Sequence, residues 1–478
     1  MADSSFREPL RTAFEQALLH LESLEQSRVA PDVDLHTLRR RLAKPLADQG
    51  IAPGQVVAEL VRDVEGGIMG SAGGRFFGWV IGGTLPSALA ADWLTSAWDQ
   101  NAGHSACGIA AAVVEEVAGS WLKELLNLPQ EASFALVTGC QMAHVTCLAA
   151  ARHAVLAKHG WDVEKQGLFG APQVRIISSD LRHETFERAI RLLGFGLERV
   201  TYLPSDRQGH LPVDELERAL GQNTAAPTIV LLQAGDVNTG AFDSFESLVP
   251  VAKRHGAWVH IDGAMGLWAA ATPRYRHLLK GADAADSWAT DGHKFLNVPY
   301  DCGYAFVRDT QAHRAAMSHT ASYLPRDDNS ARNQLDWTPE WSRRARAFPT
   351  YAALRHLGRS GVAELIERCC RHAHSLVMQI GGLPGVEVVA EPIINQGLVR
   401  FLDPAPKASQ TDHDRRTDEV TAAIVAGGEA FFGGTTWRGR RAMRVSVSSW
   451  QTSEADVRRV VRAAQTALQK HHLVSSRV

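Results

Sequence analysis

Two short stretches hold the residues best suited to chemistry. The first is Trp258-Val-His-Ile-Asp262-Gly-Ala264, an apolar run ending on a carboxylate. The second is Asp286-Ser-Trp-Ala-Thr-Asp-Gly-His-Lys-Phe-Leu-Asn-Val-Pro-Tyr-Asp-Cys-Gly303, with Lys294 near its centre. His293, Phe295, Leu296, Val298, Pro299 and Tyr300 box that lysine in. Desolvation disfavours an ammonium, so Lys294 is expected to lose part of its charged character. A lysine in that state condenses with an aldehyde. An acid at a strand tip can keep a pyridine nitrogen protonated, which makes the ring an electron sink. Boxed lysine and strand-end acid together are the pairing that pyridoxal phosphate requires. The plainer alternative is a buried lysine at a strand end with a capping aspartate nearby.

These residues need a scaffold, and the hydrophobic pattern supplies one. Strands are expected at 174–179, 228–235, 258–262 and 285–288, with a helix at 184–193 after the first. Repeated strand-then-helix units argue a mostly parallel sheet with helices on both faces. Ligands of such sheets gather beyond the carboxyl ends of the strands. Ala135-Leu-Val-Thr138-Gly-Cys-Gln-Met-Ala-His144 enters a helix rich in small residues. The backbone N–H groups of Gly139, Cys140 and Gln141 at its start, and the helix dipole, suit a phosphate. The glycine-rich stretch 66–83 has no Gly-Lys-Ser/Thr and no strand-loop-helix context, so it is not a nucleotide P-loop.

The Asp262-Gly-Ala264 and His293-Lys294 segments resemble the group II pyridoxal-phosphate decarboxylases, which act on aromatic amino acids, glutamate, histidine and tyrosine. The resemblance spans roughly residues 70–450 and is densest between Ser178 and Gly303. It implies an α/β fold of type I (aspartate aminotransferase-like), with a smaller α+β domain at the C-terminus. It implies that Lys294 holds the cofactor, that Asp262 meets the ring nitrogen, and that His183 stacks on the ring. Asn238, in the turn Asp236-Val-Asn-Thr-Gly240, falls in the family's cofactor loop. Ala264, Asp291 and His293 fall beside the two motif acids and the lysine, and are counted as cofactor contacts. Phe76, Phe77 and Trp79 match a segment that lines the family's substrate pocket; ordinary core packing is their other role. One segment departs from the pattern: relatives have Ser or Thr hydroxyls and then Glu-Ala-Asn, where this chain has Cys140, Gln141, Met142 and His144. The polar stretch 319–337 reads as a loop over the site. Relatives carry a proton-donating tyrosine in that loop, but here only Tyr323 stands at its start. That leaves Tyr323 or His183 as the acid.

Composition fits a soluble enzyme. The chain has 478 residues, enough for two or three domains and a large core. A formal net charge of −2 points to neither nucleic acid nor an anionic membrane as partner. The denser patch at Arg343, Arg344 and Arg346 reads as a solvated or intersubunit face. Six cysteines without CxxC spacing read as reduced thiols. With no basic-then-apolar leader and no spanning run, the expectation is a cytoplasmic protein. The expected divisions are an N-terminal helical or interface segment (1–100), a large cofactor domain (101–375) and a small α+β domain (376–478). A helix over 5–28 would wrap a partner subunit, giving a homodimer with shared active sites.

The expected reaction is decarboxylation of an L-amino acid, tilted towards an aromatic one by Phe76 to Trp79. The missing loop tyrosine favours other outcomes on the same cofactor: aldehyde formation, transamination or aldol-type cleavage. The altered 140–144 segment would suit an inactive scaffold.

Overall fold

The computed structural model describes residues 6–319 and 332–475. They form two compact units: residues 82–374 with 390–397, and residues up to 81 with 375–389 and from 398 onward. The larger unit is built on seven strands: β1 (Ser133–Val137), β2 (Arg175–Ser179), β3 (Val200–Leu203), β4 (Thr228–Gln233), β5 (Trp258–Asp262), β6 (Ser287–Asp291) and β7 (Gly303–Val307). Their order is β1-β7-β6-β5-β4-β2-β3, and β7 alone runs against its neighbours. All six residues of β4 are buried, as a strand covered on both faces demands. Each fully buried Val, Leu or Ile there contributes about 1.5–3 kcal/mol.

The chain crosses from β1 into the helix Cys140–Ala157 through a single residue pair, Thr138-Gly139. That helix packs small residues, Ala143, Cys147, Ala150, Ala151 and Ala154, against the sheet. Strand β6 extends beyond the expected 285–288, because Thr290 and Asp291 pair with Tyr304 and Gly303 of β7. Apolar periodicity cannot see that pairing, since both residues are polar. It puts Asp291 at the strand edge, next to the lysine.

The patch at Arg343 to Arg346 is not a solvated face. Arg343 is buried and paired with fully buried Glu115 at 2.7 Å, and it also donates to the carbonyls of Ala102 and Leu136. Arg344 pairs with Asp92 at 2.6 Å and Arg346 with Asp301 at 2.7 Å. The arginine stems and forks tie β1 and its neighbours together. Within Ala347–Gly381 two helices meet at Gly358, which breaks the run by adopting φ 60°, outside the helical region.

The second unit holds an antiparallel-paired hairpin within a four-stranded sheet, β8 (Val386–Ala390), β9 (Gln396–Phe401), β10 (Gly433–Trp437) and β11 (Arg440–Ser446), ordered β10-β11-β9-β8. The hairpin turn is Arg438-Gly439, both at positive φ (47° and 76°), the twist that two-residue hairpins favour. The helix Gln410–Gly427 begins inside the stretch 404–416 that reads as a polar connection. A capping box between Ser409 and Asp412 starts it, so its first turn is polar and hides the apolar period. No helix among the described residues is long and apolar enough to cross a membrane.

Candidate active site

Strand geometry decides what faces the helix Cys140–Ala157. Alternate residues of β5 share one side of the sheet, so Trp258, His260 and Asp262 lie together there. Asp262 ends the strand, buried, and accepts the N–H of Ala264 at 3.1 Å. Burial pushes its carboxyl up, but His144 opposes this by charge and hydrogen bonding, and His183 by charge. The balance falls well below the usual carboxylate range, so Asp262 is ionised. A buried anion at a strand end is a strong acceptor for a cationic N–H.

Lys294 follows the β6 edge in a tight turn. Gly292 donates its N–H to the carbonyl of Cys302 at 3.0 Å, closing the turn against β7. The Lys294 ammonium reaches Asp291 Oδ2 at 3.0 Å. Here the sequence expectation fails: Lys294 is not depressed. Burial lowers its pKa, but the charges of Asp291 and Asp262 and the Asp291 hydrogen bond raise it further than burial lowers it. The apolar box was legible in the sequence; the counter-ion that strand pairing delivers was not.

Asp291 also reaches the helix start. Its Oδ1 accepts the Cys140 N–H at 2.6 Å, while the Cys140 Sγ stands 4.0 Å from Asp262 Oδ1. Cys140 therefore links the lysine side of the site to the acid side. Burial first, then Asp262 and Asp291, raise its thiol pKa, so it stays neutral. The close approach depends on glycine: a Cβ on Gly303 would sit 2.4 Å from the Gly139 carbonyl carbon. A Cβ on Gly82 would sit 2.0 Å from the Lys294 carbonyl oxygen.

The remaining expected residues divide. His183 caps the helix Glu184–Leu192, its Nδ1 accepting the Thr185 N–H at 3.2 Å. With Nδ1 accepting, Nε2 is the ring nitrogen left to carry a proton. His293 stacks against Tyr300 with centroids 4.3 Å apart and lies 3.5 Å from Asp291. Asn238 lies in the turn after β4, the strand beside Asp262, with its N–H on Asp236 Oδ1 at 3.1 Å. Phe76 and Phe77 are buried in the second unit, stacked on Phe431 and Phe432 at 4.7 and 5.3 Å. Trp79 is 58% exposed. Tyr323 lies outside the described residues. His144, His260 and Tyr300 were missed as site residues; the period of two in Trp258-Val-His-Ile-Asp262 was the available signal for His260.

The residues present fit pyridoxal phosphate. Both polar atoms of the Gln141 side chain and Nδ1 of His293 are buried without a hydrogen-bond partner among the described residues. Such orphans cost about 1–3 kcal/mol each unless something fills the site. Gly139, capping the helix, provides no side-chain cap for its free N–H groups. The Cys140 N–H is already held by Asp291, which takes it out of the set of donors expected for a phosphate at this end.

Comparison with known proteins agrees. The pyridoxal-dependent decarboxylase conserved domain matches residues 39–402. The chain is 26% identical to an aromatic-L-amino-acid decarboxylase of Bacillus atrophaeus, over 82% of this chain and 80% of that one. It is 27% identical to the acidic amino acid decarboxylase of Homo sapiens, over 74% and 68%. Among solved structures, tryptophan decarboxylase of Oryza sativa with pyridoxal phosphate and tryptamine superposes with a TM-score of 0.92 at 24% identity, over 98% of this chain and 99% of that one. Mouse CSAD superposes at 0.87 with 22% identity, over 97% and 98%. The fold is therefore type I, and the chain belongs to the pyridoxal-dependent decarboxylase family, as a pyridoxal-phosphate-dependent amino acid carboxy-lyase.

Proposed function

We propose that this enzyme converts an aromatic L-amino acid to its amine and carbon dioxide. The observation that carries the reading is Cys140, which stands between Asp262 and Asp291 and so brings acid, lysine and helix start to one edge of the sheet. When bound, pyridoxal phosphate supplies the electron sink for the pair left by departing carbon dioxide. Lys294 would hold its aldehyde, Asp262 its ring nitrogen, and Gly139 and Gln141 its phosphate, with Ala264, Asn238, Asp291 and His293 around it. His183 would cover the ring face and, from Nε2, return a proton to the substrate carbon.

An aromatic substrate is supported by the aromatic-L-amino-acid and tryptophan decarboxylases among the relatives, and the aromatic segment Phe76 to Trp79 is the sequence feature that agrees with it. Phe76 and Phe77 have 1% and 0% exposure, and Trp79, tilted against Phe431 at 5.0 Å, is the exposed ring of the segment. It and Val80 both sit at positive φ (51° and 62°), a conformation rare for bulky side chains and concentrated at functional sites. Acid-specific relatives make an acidic substrate the competing case.

A homodimer is supported by the helix Arg7–Ser23, which has no buried residue and exposes Leu10, Leu18 and Leu19. Light scattering on the purified enzyme would test this; a monomer at micromolar concentration would refute it.

A second outcome is favoured by residues 324–337, which contain no tyrosine. Without that acid, the carbanion would meet oxygen, and substrate, oxygen and water would give aldehyde, carbon dioxide, ammonia and peroxide. The test is incubation of the loaded enzyme with a panel of L-amino acids in air, following all products together. Amine and carbon dioxide from an aromatic substrate would support the first reading. Aldehyde with ammonia and peroxide would replace it with the second. Turnover of acidic substrates alone would refute the aromatic assignment.

A further inference from the structure

Behind Asp262 lies a chain of polar groups that crosses the core of the larger unit. Trp258 Nε1 donates to Ser287 Oγ at 2.9 Å. Ser287 Oγ lies 2.9 Å from His260 Nδ1, and His260 Nε2 lies 2.9 Å from His144 Nδ1. His144 Nε2 ends the chain 3.4 Å from Asp262 Oδ2. All five side chains are buried. They meet because Trp258, His260 and Asp262 share one face of β5, and β6 pairs Ser287 directly beside His260. His144 comes from the facing helix, one turn after Cys140.

Indole N–H can only donate, and this gives the chain a direction. With Trp258 on its oxygen, Ser287 can turn its own hydrogen to His260 Nδ1. His260 then carries its proton on Nε2 and gives it to His144 Nδ1. His144 is left with its proton on Nε2, aimed at Asp262. We propose that His144, held in this tautomer by His260 and Ser287, is a positioning residue for Asp262, keeping that carboxylate a fixed acceptor for the cofactor's ring nitrogen. The contact with Asp262 is longer than a good hydrogen bond, so its effect is one of dipole and orientation. Burial, then His144, push His260 down to about 3, so the middle of the chain stays neutral.

The inference rests on Asp262 being the partner of the ring nitrogen, and the test separates the two. Enzyme reconstituted with ring-15N pyridoxal phosphate would be read by 15N NMR, together with cofactor affinity. In His144→Phe the ring-nitrogen signal should move towards its unprotonated position and affinity should fall roughly tenfold, the scale of one lost charge-assisted hydrogen bond. His144→Gln, which keeps an N–H donor, should restore most of both. If His144→Phe does not fold, Ser287→Ala carries the test, since it unlocks the tautomer without touching Asp262; the signal should move the same way. An unmoved signal in Asp262→Ala would sink the assignment of Asp262. A signal that moves in Asp262→Ala but in none of the His144 or Ser287 variants would sink the role of His144 alone. The donor atoms of Cys140, His144 and Asp262 also lie within 4.8 Å of one another, a spacing a metal could use. Stoichiometric zinc in the purified protein, lost in His144→Phe, would overturn the hydrogen-bonded reading.

Discussion

His313 offers a test of the larger unit that needs no substrate. It lies fully buried on the helix Thr310–Met317, with Nδ1 2.8 Å from Ser133 Oγ and Nε2 2.9 Å from the Trp337 carbonyl. It thereby ties the start of β1 to Trp337. Burial, then the charge of Arg332, push its pKa from 6.5 down to about 3. A group depressed on folding stabilises above its unfolded pKa, and that stability is lost as pH falls from about 6.5 towards 3. At pH 5.5 an unfolded histidine holds about 0.9 proton and this one almost none, so unfolding takes up about 0.9 proton here. The corresponding loss of stability is on the order of 1 kcal/mol at pH 5.5 and on the order of 3 kcal/mol at pH 4.5. The assay is proton uptake on urea unfolding at pH 5.5 in weak buffer, wild type against His313→Gln. Glutamine keeps a donor for Trp337 but cannot titrate. The variant should take up about 0.9 proton fewer. Equal uptake in the two proteins would refute the argument, because it would mean His313 is already protonated in the folded state.

Three further outcomes follow from the site and its support. Lys294→Ala should abolish borohydride-trappable cofactor and nearly all turnover; wild-type activity would remove that lysine from the reaction. In Asp291→Asn the largest influence raising the Lys294 pKa is gone and burial still lowers it, so that pKa falls. The rate of cofactor attachment, which needs the neutral amine, should then rise to its plateau at lower pH than in wild type; an unmoved profile would show that Asp291 does not control the amine. Arg343→Met leaves Glu115 buried without its cation, which should cost about 3–5 kcal/mol in thermal or urea unfolding. The Glu115→Leu, Arg343→Met double variant should recover most of that, and a single-variant loss under about 1 kcal/mol would show the pair to be idle.

Much of this molecule was legible before any coordinates. The runs Val174 to Ser179, Thr228 to Gln233 and Trp258 to Asp262 are continuous and apolar, and such runs have one use in a large α/β chain. Lys294 and Asp262 could be singled out as candidates by residue type and local company, and the fold brings both to one edge of the sheet. What the sequence could not supply were properties that depend on which strands become neighbours. Asp291 is one case: pairing of β6 with β7 places it between Lys294 and the Cys140 N–H, and so reverses the expected direction of the lysine's pKa. Arg343 is another, since a run of arginines reads as surface until Glu115 is found against it in the core. The chain from Trp258 to His144 is the third. Its members are spread over 144 positions of chain, from His144 to Ser287, and each alone is a plain core residue. Local pattern fixes which residues face one side of a strand; only tertiary packing decides what stands opposite, and electrostatics in a low-dielectric core is set by what stands opposite.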